Sequence, residues 1–143
     1  MRLQVLKLDP AATLPTQAHA GDAGYDLHAL EAAELGPGER AMLRTGIAIE
    51  VSPGHAGLVL PRSGTAAKHG IALVNAPGLI DAGYRGEIRV LLLNTDRSEA
   101  FSVAPGDRIA QLVLVRVETP PVEEVSELGE SDRGDGGFGS SGR

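Results

Sequence analysis

The sequence predicts an all-β sandwich. Short apolar runs alternate with polar residues at a period of two, Gly and Pro (19 and 9 of 143 residues) interrupt them at short intervals, and a single stretch has helical character. A chain of this length is one domain with room for a core. Aromatic residues make up only 3 % and Trp is absent, so that core is built from Val, Leu, Ile and Ala. The absence of cysteine excludes disulfides, thiolate metal sites and a cysteine nucleophile. A net charge of −6 argues against broad nucleic-acid binding by phosphate neutralisation. It does not argue against a small polyanion, which placed donors and a divalent cation bind without an overall field. No apolar leader opens the chain and no run approaches the roughly 18 apolar residues of a membrane span. The expectation is a soluble cytoplasmic protein with no membrane and no nucleic-acid partner.

The elements follow in order. Residues 3 to 8, LQVLKL, read as a strand that Asp9-Pro10 ends. Tyr25 to Ala29 alternates, placing Tyr25 and Leu27 on one face and Asp26 and His28 on the other. Read alone, Asp26 is a strand carboxylate facing away from the core. Ala29 to Leu35 is too short for a stable helix and is stopped by Gly36-Pro37-Gly38, leaving a loop or short strand. Arg40 to Val51 is expected as one strand, with Ile47, Ile49 and Val51 on one face; Pro53-Gly54 turns it into Leu58-Val59-Leu60, which Pro61 closes.

Arg62 to Gly70 is the helical site. Ser63 is expected as its N-cap, Ala66-Ala67-Lys68 are helix formers and Gly70 suits the C-terminal position with positive φ. Free backbone donors at Gly64 and Thr65 beside the Arg62 guanidinium suit phosphate oxygens.

Asn75 to Ile88, NAPGLIDAGYRGEI, connects two strand-like runs, Ile71 to Val74 and Ile88 to Leu93. It is no tight hairpin. Pro77-Gly78 and Ala82-Gly83 bracket Leu79, Ile80 and Asp81, so a short extended piece is held inside a wide loop that can make a pocket, with Asp81 and Tyr84 three residues apart. Arg89 to Leu93 is apolar on both faces and is expected to be covered on two sides, by a second sheet or another subunit. Phe101 to Val103 starts a further strand. In the last one, Arg108 to Glu118, Ile109, Val113, Val115 and Val117 share a face that Gln111 interrupts. That amide needs a backbone or ligand partner.

From Thr119 the pattern dissolves into an acidic stretch and a Gly/Ser tail. Composition alone gives a disordered terminus. Arg133 and Phe138, a charge fork and a stacking ring spaced by glycines, equally suit an arm that closes over a ligand. The Arg133 to Asp135 triplet is a coincidence, no Gly-Lys-Ser/Thr follows the glycines, and the four histidines have no metal-binding spacing and read as surface residues.

Five words occur in fixed order: AGDAGYDL (Ala20 to Leu27), PRSG (Pro61 to Gly64), the central loop, RIAQL (Arg108 to Leu112) and RGDGGFGSSG (Arg133 to Gly142). Together they resemble the five ordered motifs of the trimeric dUTPases, from about Ala20 to the C-terminus. The resemblance implies a jelly-roll-like subunit of residues 1–118 and a C-terminal arm, 119–143, that closes over a neighbour's site in a homotrimer. It implies hydrolysis of dUTP to dUMP and pyrophosphate by water attack at the α-phosphorus, which limits uracil in DNA and supplies dUMP for thymidylate.

By the same resemblance Asp81 is the general base, Tyr84 packs on the sugar and excludes a 2′-hydroxyl, and Asn75 with the backbone of Leu79 and Ile80 reads uracil. Arg62, Ser63, Gly64 and Gln111 hold phosphate oxygens and order the water. Asp26 meets Mg²⁺ through water, Arg133 clamps the γ-phosphate, Phe138 stacks on uracil, and Arg89 matches a substrate position. Ala76-Pro77 departs from the pattern and bears on loop stiffness. The alternatives are a dCTP deaminase-like enzyme, which needs a different base-site carboxylate, and a non-catalytic nucleotide-binding trimer.

Overall fold

The computed structural model describes residues 2–142; Met1 and Arg143, at the outer ends of the two expected segments, lie outside the described residues. Eleven short strands and one helix follow in order: β1 Gln4–Lys7, β2 Tyr25–His28, β3 Ala33–Leu35, β4 Arg40–Arg44, β5 Ile47–Glu50, β6 His55–Leu60, α1 Ser63–His69, β7 Ile71–Leu73, β8 Gly78–Ile80, β9 Arg89–Asn94, β10 Phe101–Val103 and β11 Arg108–Arg116. No helix among the described residues is long and apolar enough to cross a membrane.

All strand pairs are antiparallel. A four-stranded sheet runs β2-β11-β6-β8 and a three-stranded sheet β4-β9-β7, with the pairs β1-β5 and β10-β3 beside them. One aliphatic core lies between the two larger sheets: Leu27, Val59, Ile80, Ala110 and Leu112 from one side meet Leu43, Ile71, Leu73, Val90 and Leu92 from the other. Burying such side chains is worth about 1.5–3 kcal/mol each, which lets a chain so poor in aromatics fold.

Two strands depart from the pattern read in the sequence. The expected strand from Arg40 to Val51 is two strands, broken at Thr45-Gly46. Gly46 has φ of 70°, in the left-handed region that favours glycine. The corner moves the chain from a partnership with β9 to one with β1. Thr45, buried there, donates its hydroxyl to Ile88 O at 2.6 Å. In β11 the core face is Ala110 and Leu112, both fully buried, and Val113 and Val115 are only half-buried on the opposite face. Gln111 therefore does not interrupt the core.

Two smaller expectations change as well. Arg62, not Ser63, is the N-cap residue of α1, with extended backbone and no side-chain cap bond, while Gly70 ends the helix at φ 65° as expected. His28 is no surface residue: its Nδ1 is buried and has no hydrogen-bond partner among the described residues. Of β9, only the face carrying Val90 and Leu92 is buried within the chain; Leu91 and Leu93 remain half-exposed.

Candidate active site

Strand register collects the motif words. Across the four-stranded sheet Asp26 of β2 stands opposite Gln111 of β11, and Gln111 opposite Leu60 of β6, the residue before Pro61-Arg62-Ser63-Gly64. On the far side of β6, β8 pairs Gly78 with Val59 and Leu79 with Leu58. One sheet thus presents four of the five words in a row.

The wide central loop has a topological cause. Its flanking strands β7 and β9 pair with each other in one sheet, while β8 between them crosses to pair with β6 in the other. That excursion opens a cleft of about 260 Å³ lined by Asn75, Leu79, Ile80, Tyr84 and Arg89, with Met42 and Glu87 beside them. β8 is an edge strand, and its second edge carries no strand among the described residues. Backbone donors and acceptors along such an edge are available to a ligand.

The loop is pinned at its tip and its base. Tyr84 N–H donates to Asp81 O at 3.0 Å, closing a turn that leaves the Asp81 side chain exposed. Arg85 Nη1 donates to Ala82 O (2.7 Å) and Tyr84 O (3.0 Å), and its Nη2 lies 3.3 Å from Glu50 on β5. The Tyr84 hydroxyl donates to Glu87 O at 3.0 Å, so the ring folds back over Gly86. A Cβ on Gly86 would stand 2.6 Å from the ring carbon Cζ, which makes the glycine a steric requirement of the ring's position.

At the base, Glu87 is 9 % exposed in its side chain and accepts from Arg44 Nε, from Gly46 N–H at 2.9 Å and from Arg89 Nε at 3.3 Å. Burial alone would raise its pKa, but the hydrogen bonds from Arg44 and Gly46, the Arg44 charge and the Arg89 bond together hold it below the usual value. Its contribution to stability is present above the ordinary glutamate range and is lost as pH falls through the lowered value.

A second, polar cleft of about 430 Å³ is lined by Asp22, Gly24, Asp26, Arg62, Ser63, Gly64, Arg108 and Gln111. Asp26 accepts from Arg62 Nε at 3.0 Å through Oδ1 and from Arg108 Nη1 at 3.5 Å through Oδ2. The first bond of α1 runs from Ala66 N–H to Arg62 O, so the N–H groups of Ser63 and Gly64 have no intrahelical partner. A Cβ on Gly64 would meet nothing within 4 Å, so space there is open. His28, beside Asp26, has its pKa lowered, chiefly by burial; Asp26 opposes this and Arg108 and Arg62 add to it. Burial thus favours the neutral imidazole beside the cleft.

Gln111 Nε2 donates to Pro61 O at 2.9 Å, the backbone partner that its strand position demanded. Its Oε1 lies over Gly24, 2.5 Å from where a Cβ would stand. Gly24→Ala is therefore expected to push the amide aside. The obstacle is the far end of a flexible side chain, so the melting temperature should stay near that of the parent chain. A displacement of about 1 Å at a reacting group costs on the order of 10²-fold in rate, which steady-state turnover would reveal.

The two clefts have no lining residue in common. Neither includes Arg133 or Phe138, which the structure leaves in the exposed tail: Phe138 is fully exposed, and Arg133 Nε donates to Gly136 O at 2.7 Å. Sequence reasoning missed Arg108 and Glu87. Arg108 and Gln111, three apart, would face opposite ways on a regular strand, but a register shift between Arg108 and Ala110 brings both to one cleft. Glu87 read as one more charge in a polar loop.

A model of the dUTPase family matches residues 11–142. The chain belongs to the dUTPase family. Among its relatives, the deoxyuridine 5′-triphosphate nucleotidohydrolase of Thermobifida fusca is 56 % identical over 142 residues, covering 99 % of this chain and 79 % of that protein. The protein of the same name from Mycolicibacterium gilvum is 52 % identical over 145 residues, covering 98 % and 94 %. Among solved structures, a Staphylococcus bacteriophage 80alpha dUTPase with dUPNHPP superposes with TM-score 0.92 at 33 % identity over 99 % of both chains. A dUTPase mutant from phage phi11 of S. aureus, described with a structural Mg(II) ion, superposes with TM-score 0.84 at 29 % identity, over 91 % of this chain and all of that one. The jelly-roll-like sandwich is thus the fold of the dUTPases, and membership places the chain among the hydrolases of deoxyuridine triphosphate.

Proposed function

We propose that this chain hydrolyses dUTP to dUMP and pyrophosphate, with Asp81 as general base at a site completed between subunits of a homotrimer. The observation that carries the reading is a nucleoside-sized cleft between the two larger sheets, walled by Tyr84 of the loop that exposes Asp81, together with a separate arginine- and amide-lined cleft on the four-stranded sheet; within one chain Asp81 lines neither. The cleft's free β8 edge at Leu79 and Ile80, with the Asn75 amide against Gly78, supports recognition of uracil by fixed donors and acceptors that mismatch cytosine. Tyr84, locked over Gly86, stands as a wall against a 2′-hydroxyl.

In the second cleft Arg62, Ser63 and Gly64 offer a guanidinium and two backbone donors to phosphate oxygens. Gln111, fixed through Nε2, orders the attacking water with its remaining oxygen. Asp81 takes that water's proton as the bond to the α-phosphorus forms, and pyrophosphate leaves. Both Asp26 oxygens already accept guanidinium bonds, and no cluster of three metal-ligating side chains occurs among the described residues. The residues therefore fit a Mg²⁺ ion that Asp26 would hold through water rather than directly. When bound, Mg²⁺ neutralises charge on the phosphates.

Three features support the trimer. The two clefts are separate in one chain, Leu91, Leu93, Val113 and Val115 are left half-exposed on sheet faces, and the tail carrying Arg133 and Phe138 is exposed. In the assembly Arg133 clamps the γ-phosphate and Phe138 stacks on uracil. Release of pyrophosphate from dUTP, dCTP, dTTP and UTP with Mg²⁺ tests the reading. Only dUTP should react, and Tyr84→Ala should admit UTP. Equal release from dCTP, or none from dUTP, would overturn it.

A further inference from the structure

Arg44 of β4 and Arg89 of β9 stand directly opposite each other in the antiparallel register. Two like charges in that position repel, and nothing in the strand pairing itself relieves them. Glu31 meets one of them, its Oε1 accepting from Arg44 Nη1 at 3.1 Å; Glu87, two residues before Arg89, is the carboxylate that meets both. Its Oε1 accepts from Arg44 Nε at 3.1 Å and from Gly46 N–H at 2.9 Å, and its Oε2 accepts from Arg44 Nε at 3.2 Å and from Arg89 Nε at 3.3 Å.

The carboxylate is nearly buried, while the two arginine side chains are 40 % and 53 % exposed. Glu87 is therefore the buried anchor, and the arginines are its exposed partners. Gly46 N–H ties the anchor to the β4–β5 corner, and the neighbouring Ile88 is bound there from both of its backbone groups, N–H to Ile47 O and O to the Thr45 hydroxyl. Arg89 is then held at the wall of the nucleoside cleft between Glu87 and Met42, with Nη1 3.9 Å from Met42 Sδ. Its Nη2 makes no hydrogen bond among the described residues.

We propose that Glu87 is a positioning residue for substrate binding: it bridges the opposed Arg44 and Arg89 and holds the Arg89 guanidinium at the nucleoside cleft. The inference rests on the dUTPase reading of that cleft. Arg89, set before substrate arrives, contributes equally to the ground and transition states, so its loss raises KM and spares kcat.

Glu87→Gln keeps the shape and removes the charge. The KM for dUTP should rise about tenfold, the size expected for a lost hydrogen bond to a charged group, with kcat within about twofold of the parent. In an Arg89→Ala background the same change should add little, because two residues acting through one contact are not additive. An unchanged KM, an equal fall in kcat, or a KM rise that persists undiminished without Arg89 would each overturn the proposal. Should Glu87→Gln fail to fold, Glu87→Asp decides. It keeps the charge but draws it back by one methylene, and a KM equal to the parent's in that variant would equally overturn the proposal. A parent chain that released no pyrophosphate from dUTP would instead strike at the dUTPase reading, and is told apart by that control.

Discussion

Asp81→Asn should lower turnover of dUTP by a factor on the order of a hundred to ten thousand, the range a positioned general base supplies, and leave binding of a non-hydrolysable dUTP analogue within a few-fold of the parent. The amide reproduces the outline of the carboxylate and cannot take the proton of the attacking water. Nothing else in the loop should move. Its tip is closed by Tyr84 N–H to the Asp81 main-chain oxygen and clasped by Arg85 on two carbonyls, bonds in which the Asp81 side chain has no part. Asp81 is also exposed, so no buried partner is stranded by the change. Single-turnover kinetics beside calorimetric titration of the analogue separate the two quantities. Turnover close to that of the parent would remove Asp81 from the base role.

The sequence made some parts of this molecule readable and hid others, for definite reasons. Period-two alternation located β2 and β5, because Leu27 of the one and Ile47 and Ile49 of the other pack on the aliphatic core. It failed in β11, where both parities are apolar: Ala110 and Leu112 enter the core while Val113 and Val115 lie on the outer face. Pattern cannot choose between two apolar faces, and the shift at Arg108/Ala110 that settles the register leaves no trace in composition. The break at Gly46 was hidden because Ile47 and Ile49 continue the alternation across the corner. The motif words named Asp26, Gln111, Arg62 and the central loop. What they could not show is that register alone sets Asp26, Gln111 and Leu60 in one row. Glu87 and Arg108 went unread because a charge in a short polar word looks solvated until its cross-strand neighbours are known. For Glu87 those neighbours are the opposed Arg44 and Arg89.

Deleting Ser131 to Arg143 should abolish most activity and leave thermal unfolding unchanged. None of the described residues from 118 to 142 is buried, so the tail gives the core nothing to lose, while Arg133 and Phe138 leave with it. A stricter result follows if the arm serves a neighbour. Asp81→Asn chains and tail-deleted chains are each inactive alone; mixed under conditions that exchange subunits, they should recover activity, because some sites then join an intact loop from one chain to an intact arm from another. An arm that folded back on its own loop could never supply that combination, since every chain with a good arm carries the defective carboxylate. The separation of the two clefts within one chain favours the crossed arrangement. Subunit exchange verified by mass spectrometry, with no activity recovered, would defeat the crossed arm and leave the assignment of Asp81 untouched.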